Sequence, residues 1–144
     1  MSHLLSAVNA AASALDAQRA RMEVAVSNLA NADSTQGPNG EPYRRRDVLL
    51  EAIPADSFSQ AMGAAGGNAD GVRVVGVVED QKPFKRVNQP GHPNADKDGW
   101  VLMPNVEVPE EMVNLLGAAR AYQANLTAIG LIRDTVQKAL ELAK

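Results

Sequence analysis

Residues 109–144, PEEMVNLLGAARAYQANLTAIGLIRDTVQKALELAK, decide the fold. After Pro109 the stretch has no proline, and its glycines are Gly117 and Gly130. Apolar side chains recur at Met112, Leu115, Ala119, Tyr122, Leu126, Ile129, Val136, Leu140 and Ala143, with Arg133 the one break. Steps of three and four make a heptad stripe on a helix, not the alternation of a strand. Pro109 suits the first turn, where a missing N–H costs nothing. Glu110 and Glu111 stand at the positive end of the helix dipole, Lys138 and Lys144 toward the negative end. Such a helix is roughly 50 Å long at about 1.5 Å per residue. A small chain cannot readily cover one side of that rod, so something else must.

The opposite end carries a second seam. From about His3 to Leu29 there is no glycine or proline. Leu4, Ala11, Gln18 and Ala25 share one heptad position; Val8, Leu15, Met22 and Leu29 share the other. The two seams can pair with each other or with neighbouring molecules. Asn28-Leu-Ala-Asn31-Ala-Asp33 reads as a helix exit, because Asn and Asp tolerate left-handed backbone and bond their own main chain.

The bulk numbers fit this frame. The chain has 144 residues and a formal net charge of −3, from 14 Lys+Arg against 17 Asp+Glu. No charged block dominates, which argues against nucleic acid as a partner. Cysteine is absent, which removes disulfides, thiolate metal sites and cysteine nucleophiles. One tryptophan, two tyrosines and two phenylalanines promise helix contacts more than a large core. The N-terminus lacks a positive n-region and is interrupted by Ser6, Asn9, Ser13 and Asp16, so no cleaved signal peptide is expected. No apolar run is long enough to predict membrane insertion.

The middle reads as loops and short strands. Gly37-Pro-Asn-Gly40-Glu-Pro42 is turn-rich. Tyr43 to Ile53 is extended, and Arg44-Arg45-Arg46 within it reads as a solvated or interface face. Pro54 to Gly71 reads as a flexible loop. Val72 to Val78 is a β-branched strand, and Lys85 to Asn88 continues its sheet. Pro90 to Gly99 is a tight loop leading into a last strand at Trp100-Val-Leu-Met103. The expected fold is therefore α+β. Terminal helices (1–31 and 109–144) form one coiled-coil-type α domain. A small β-rich module (32–108), flexible at about 56–70, is inserted between them.

Catalytic signals are weak. Asn94, Asp96, Asp98 and Gly99 match the start of an EF-hand loop, but its twelfth position, which should be a bidentate Glu, is Asn105. The alternative is a turn whose Asp and Asn side chains cap their own backbone. His92 between Gly91 and Pro93 has no G-x-S-x-G elbow to serve, and zinc would need ligands the chain hardly has. No metal, cofactor or catalytic set is expected.

Three ordered blocks resemble the flagellar axial proteins of the bacterial basal body, and most closely those of the proximal rod. They are Ser27-Asn28-Leu29-Ala30-Asn31-Ala-Asp-Ser34, Gly37-Pro-Asn-Gly-Glu-Pro-Tyr43-Arg44, and the run from Pro90 to Val113. That run includes His92, Pro93, Asp96, Gly99, Pro104 and Asn105. Tyr122-Gln123-Ala-Asn125 completes the pattern. Trp100 stands where tyrosine is commoner. The resemblance covers nearly the whole chain except about Asp56 to Asp70. It implies a structural subunit exported by the flagellar type III apparatus without a cleaved signal. It also implies partners: other rod subunits, copies of itself, and basal-body ring and export-apparatus proteins. The seam residues Leu4, Val8, Ala11, Leu15, Met22, Leu29, Met112, Leu115, Ala119, Tyr122, Leu126, Ile129, Val136 and Leu140 become its expected assembly surface. Two other classes stay open: a helical-bundle binding module, and a hydrolase using His92 with Asp96 or Asp98.

Overall fold

The structure, a computed structural model, describes the backbone of residues 2–54 and 69–142, with side chains from 6 to 53 and from 71 to 142. The element order is α1 (Ser2–Ala30), β1 (Arg46–Pro54), β2 (Ala69–Glu79), β3 (Lys85–Asn88), β4 (Trp100–Met103) and α2 (Val108–Leu142). This is the expected α+β arrangement of long terminal helices with short strands between them in sequence. Most of the expected flexible loop lies outside the described residues, but Ala69–Gly71 belongs to β2.

Helix α1 stops where its asparagines begin to bond the main chain. The Asn31 side chain donates to the Ser27 carbonyl at 2.8 Å and its backbone N–H reaches the Ser27 and Asn28 carbonyls at 3.2 Å. A tight loop follows, with Gly40 at φ 78°, a left-handed conformation that glycine adopts without penalty. It is closed by Gly37 N–H to Glu41 O at 2.7 Å and by Tyr43 N–H to Ser34 O at 2.9 Å.

The strands form two separate two-stranded sheets, β1–β2 and β3–β4. The expectation that Lys85–Asn88 continues the sheet of Val72–Val78 is therefore corrected. Instead β3 pairs antiparallel with β4, Lys85 opposite Met103 and Asn88 opposite Trp100. The physical reason is the loop from Gln89 to Gly99, which folds the chain straight back. Gln89 N–H donates to Gly99 O and Asp96 N–H to Trp100 O, both at 2.8 Å. Gly99 sits at φ +79° with Pro90 packed where a Cβ would stand, so this turn requires glycine.

The described residues fall into two compact units. One takes those of Met1–Ala20, Leu49–Gly76 and Gly117–Lys144; the other takes Arg21–Val48 and Val77–Leu116. Each unit draws on both helices. Among the described residues, the buried apolar side chains of the first are Ala17 and Ala118. The second buries Ala25, Val101 and Val106, together with Pro42, Gly99 and Pro104.

Candidate functional site

The second unit is built around a buried polar node. Asn28, in the last turn of α1, is fully buried, and Glu111, in the first turn of α2, is 2% exposed. The Asn28 amide uses all four of its hydrogen-bonding positions. Its Nδ2 donates to the Arg46 carbonyl at 2.8 Å and to Glu111 Oε2 at 2.9 Å. Its Oδ1 accepts from the Tyr43 hydroxyl at 2.9 Å and from the Arg46 N–H at 3.0 Å. Glu111 Oε1 accepts from Arg45 Nε at 2.7 Å. Asn105 extends the node: Oδ1 accepts the Arg45 N–H at 2.7 Å, and Nδ2 donates to the Asp80 and Lys82 carbonyls at 3.2 Å. Among the described residues, no buried side-chain nitrogen or oxygen lacks a partner. A fully satisfied buried network of this kind fixes one arrangement of the segments it joins, because any other leaves a polar group stranded.

Arg45 supplies the node's positive charge. Burial by itself lowers its pKa. The hydrogen bond and charge of Glu111, helped by Asp47, outweigh that, and the guanidinium stands above its ordinary value. Asp47 Oδ2 lies 3.3 Å and Asp80 Oδ2 3.7 Å from Arg45 Nη1. This corrects the expectation that the three arginines form one solvated or interface face. Arg44 lies over the Phe84 ring at 4.3 Å and Arg46 over the Tyr43 ring at 5.6 Å, while Arg45 turns to the buried carboxylate. Extended backbone sends neighbouring side chains to opposite sides, so a run of three need not share a face. A cleft of about 390 Å³ opens beside Arg45 and Glu111, lined also by Arg21, Asp47, Asp80 and Asn114.

Other motif residues serve their own backbones. Asp96 Oδ1 accepts the N–H groups of Asp98 at 2.9 Å and Trp100 at 2.8 Å. His92 Nδ1 accepts the Asn94 N–H at 3.1 Å. That is the self-capping turn. It runs into β4, whereas an EF-hand loop runs into a helix. Asn125 bonds the Ala121 carbonyl one turn back, at 2.9 Å, and the Gln123 carbonyl accepts from Thr127. Pro93 and Ala30 are exposed.

The seam residues separate by exposure. In α1, Val8, Ala11, Leu15, Met22 and Leu29 are all at least partly covered; the Leu4 side chain lies outside the described residues. In α2, Leu115, Tyr122, Ile129 and Val136 are partly covered, whereas Met112, Ala119, Leu126 and Leu140 are exposed. The inward line starts at the buried Glu111 and Ala118 and continues through the half-buried Asn125 and Ile132. The apolar stripe lies about a fifth of a turn around from it at 3.6 residues per turn. The stripe thus straddles the edge of the covered face. Outside that edge runs an exposed line that shares Met112, Ala119 and Leu126 with the stripe and adds Leu116 and Gln123, again in steps of three and four. Met112 is 53%, Leu116 57% and Leu126 47% exposed.

The sequence places Glu111 at the helix dipole and inside the motif run that ends at Val113, and neither reading buries it. Its signal was faint: it stands one heptad before Ala118, on the inward line, where a carboxylate needs a partner. Among the described residues, no helix is long and apolar enough to cross a membrane.

Comparison with known proteins finds matches at both ends of the chain and over nearly its whole length. Residues 8–38 match the family described as "Flagella basal body rod protein", and residues 97–142 match "Flagellar basal body rod FlgEFG protein C-terminal". These ranges hold Asn28 and Asn31 on one side and Gly99, Asn105 and Glu111 on the other. The chain is 46% identical over 141 residues to the flagellar basal-body rod protein FlgC of Escherichia coli O157:H7, covering 98% of each. It is 45% identical, with the same coverage, to FlgC of Salmonella typhimurium strain LT2. To FlgC of Bacillus subtilis strain 168 it is 43% identical over 145 residues, covering 95% of this chain and 96% of that protein. Identity of this order along the full length of both partners places the chain in the FlgC family of flagellar basal-body rod proteins.

Proposed function

We propose that this chain is a structural subunit of the flagellar basal-body rod, exported through the flagellar type III apparatus and polymerised through its terminal helices. The observation that carries this is the outer line of α2. Met112, Leu116, Ala119 and Leu126 repeat at coiled-coil spacing and are exposed in the single chain. A single exposed leucine needs no explanation, but a heptad row of them is a helix-packing surface without its partner. The partners are copies of this chain, neighbouring rod subunits and the adjoining ring and export-apparatus proteins. The role is non-enzymatic, in keeping with a node whose polar groups are spent on one another.

Leu126→Glu tests the reading. Leu126 already meets solvent, so the isolated chain should keep its stability within about 0.5 kcal/mol. Incorporation into basal bodies, read by immunoblot of purified hook–basal bodies, should be lost, and motility with it. Normal incorporation of Leu126→Glu would contradict the proposed surface.

A further inference from the structure

The first turns of α2 expose a short apolar row in the unit that holds the polar node. Val108, Met112 and Leu116 stand four residues apart on one helix face and are 43%, 53% and 57% exposed. The turn that carries Met112 is held in place. Glu111 N–H donates to the Glu107 carbonyl at 3.0 Å, and the Glu111 carboxylate accepts from Asn28 and Arg45. Met112 is therefore presented to water from an anchored turn. The chain has no cysteine, which leaves methionine sulfur as its most easily oxidised group. The other methionines whose side chains are described, Met22 and Met103, are half-buried.

We propose that Met112 is an oxidation site whose state decides whether the subunit can be taken up into the rod. The oxidant is a peroxide. The thioether lone pair attacks one peroxide oxygen, the O–O bond breaks, and the departing hydroxide collects that oxygen's proton and leaves as water. Sulfur is oxidised by two electrons and the peroxide is reduced by two. In the free chain the new sulfoxide oxygen stays in water and the node behind Met112 is untouched, so the fold bears little of the change. On a covered helix row the same oxygen has to leave water between Val108 and Leu116, whose side chains have no hydrogen bond to offer it. The sulfoxide therefore opposes docking and not folding, and its reduction by a methionine sulfoxide reductase restores the apolar row. This deepens the assembly reading above and rests on it for the consequence of oxidation, not for the oxidation itself.

The test begins with hydrogen peroxide on the full-length free chain, read by peptide mass spectrometry. Met112 should gain oxygen about fivefold faster than Met22 and Met103. Met112→Leu, which cannot take up oxygen, should incorporate as the unaltered chain does. Met112→Gln sets an amide where the sulfoxide would stand. It should melt with the unaltered chain but incorporate about tenfold less, read by immunoblot of purified hook–basal bodies. Comparable oxidation rates at the three methionines would overturn the site. So would full incorporation of Met112→Gln, a lowered melting point for it, or failure of Met112→Leu to incorporate. Leu126→Glu separates the two claims. If it fails to incorporate while Met112→Gln incorporates normally, the oxidation site falls and the assembly surface stands; if Leu126→Glu incorporates normally, the surface falls and the site loses its consequence with it.

Discussion

Replacing Asn28 by alanine removes a fully buried side chain that makes four hydrogen bonds to three residues of the node. Two of its four hydrogen bonds go to the backbone N–H and carbonyl of Arg46, one to the Tyr43 hydroxyl and one to the Glu111 carboxylate. The groups left behind fare differently. Tyr43 has the Ser27 hydroxyl at 3.4 Å as a second neighbour, and Glu111 borders the open cleft, where water can reach it. The Arg46 N–H and carbonyl lose the fully buried amide that pairs with both. Stranded buried backbone groups cost about 1–3 kcal/mol each and a hydrogen bond to a charged group about 1.5–3 kcal/mol, so about 3–5 kcal/mol is expected after partial relaxation. At this chain length that lowers Tm by roughly 10–17 °C. Urea denaturation followed by tryptophan fluorescence reads it directly, because Trp100 is the only tryptophan and belongs to the same unit as Asn28. Asn31→Ala is the control. Asn31 belongs to the same motif but is only partly buried and bonds Ser27 and Ser34 near the helix end, so about 1 kcal/mol is expected. An Asn28→Ala loss below about 1 kcal/mol, or one equal to that of Asn31→Ala, would refute the reasoning that the node is closed and dry on its Asn28 side.

Arg45→Lys should cost about 1–2 kcal/mol at neutral pH, since an ammonium cannot reproduce the Nε contact to Glu111 and the reach toward Asp47. The Arg45 pKa is raised above its ordinary value, so its contribution is fully present from acid to moderately alkaline pH and is lost only at the strongly alkaline extreme. A lysine ordinarily titrates near 10.4, so Arg45→Lys should lose further stability above about pH 10 while the unaltered chain gains no slope from this residue. Parallel fading of the two chains on alkaline urea titration would contradict this. Gly99→Ala should destabilise the β3–β4 turn by about 2 kcal/mol or more, from positive φ and contact with Pro90 together. Gly40→Ala has the same backbone sign but open space around it, and should cost about 1 kcal/mol. Equal losses in thermal melts would remove Pro90 from the explanation.

Most of the fold was legible because its signals are local. Both helices follow from heptad spacing without interior proline, and the α1 exit follows from side chains that bond backbone within a turn. Strand existence was legible too. Strand partnership was not: whether Lys85–Asn88 joins β2 or β4 depends on the hydrogen bonds of the Gln89–Gly99 loop. The node was half visible. Asn28, Asn105 and Tyr43 stood in the motifs, but Glu111 and Arg45 did not stand out. The apolar search followed Met112 and stepped past Glu111, one residue earlier on the inward line. The arginine run reads as a block, though the period of two of the extended segment it stands in sends Arg45 opposite to Arg44 and Arg46. The pairing of Asn28 with Glu111 leaves no trace in local pattern, because the two are 83 residues apart.

The central claim is that the outer line of α2 is covered only in the assembled rod. The absence of cysteine makes Ala119→Cys a unique thiol on that line. Its labelling by a maleimide should be compared between the purified free subunit and intact basal bodies. Rapid labelling of the free chain and strong protection in basal bodies is the predicted result; equal labelling in both would contradict the account.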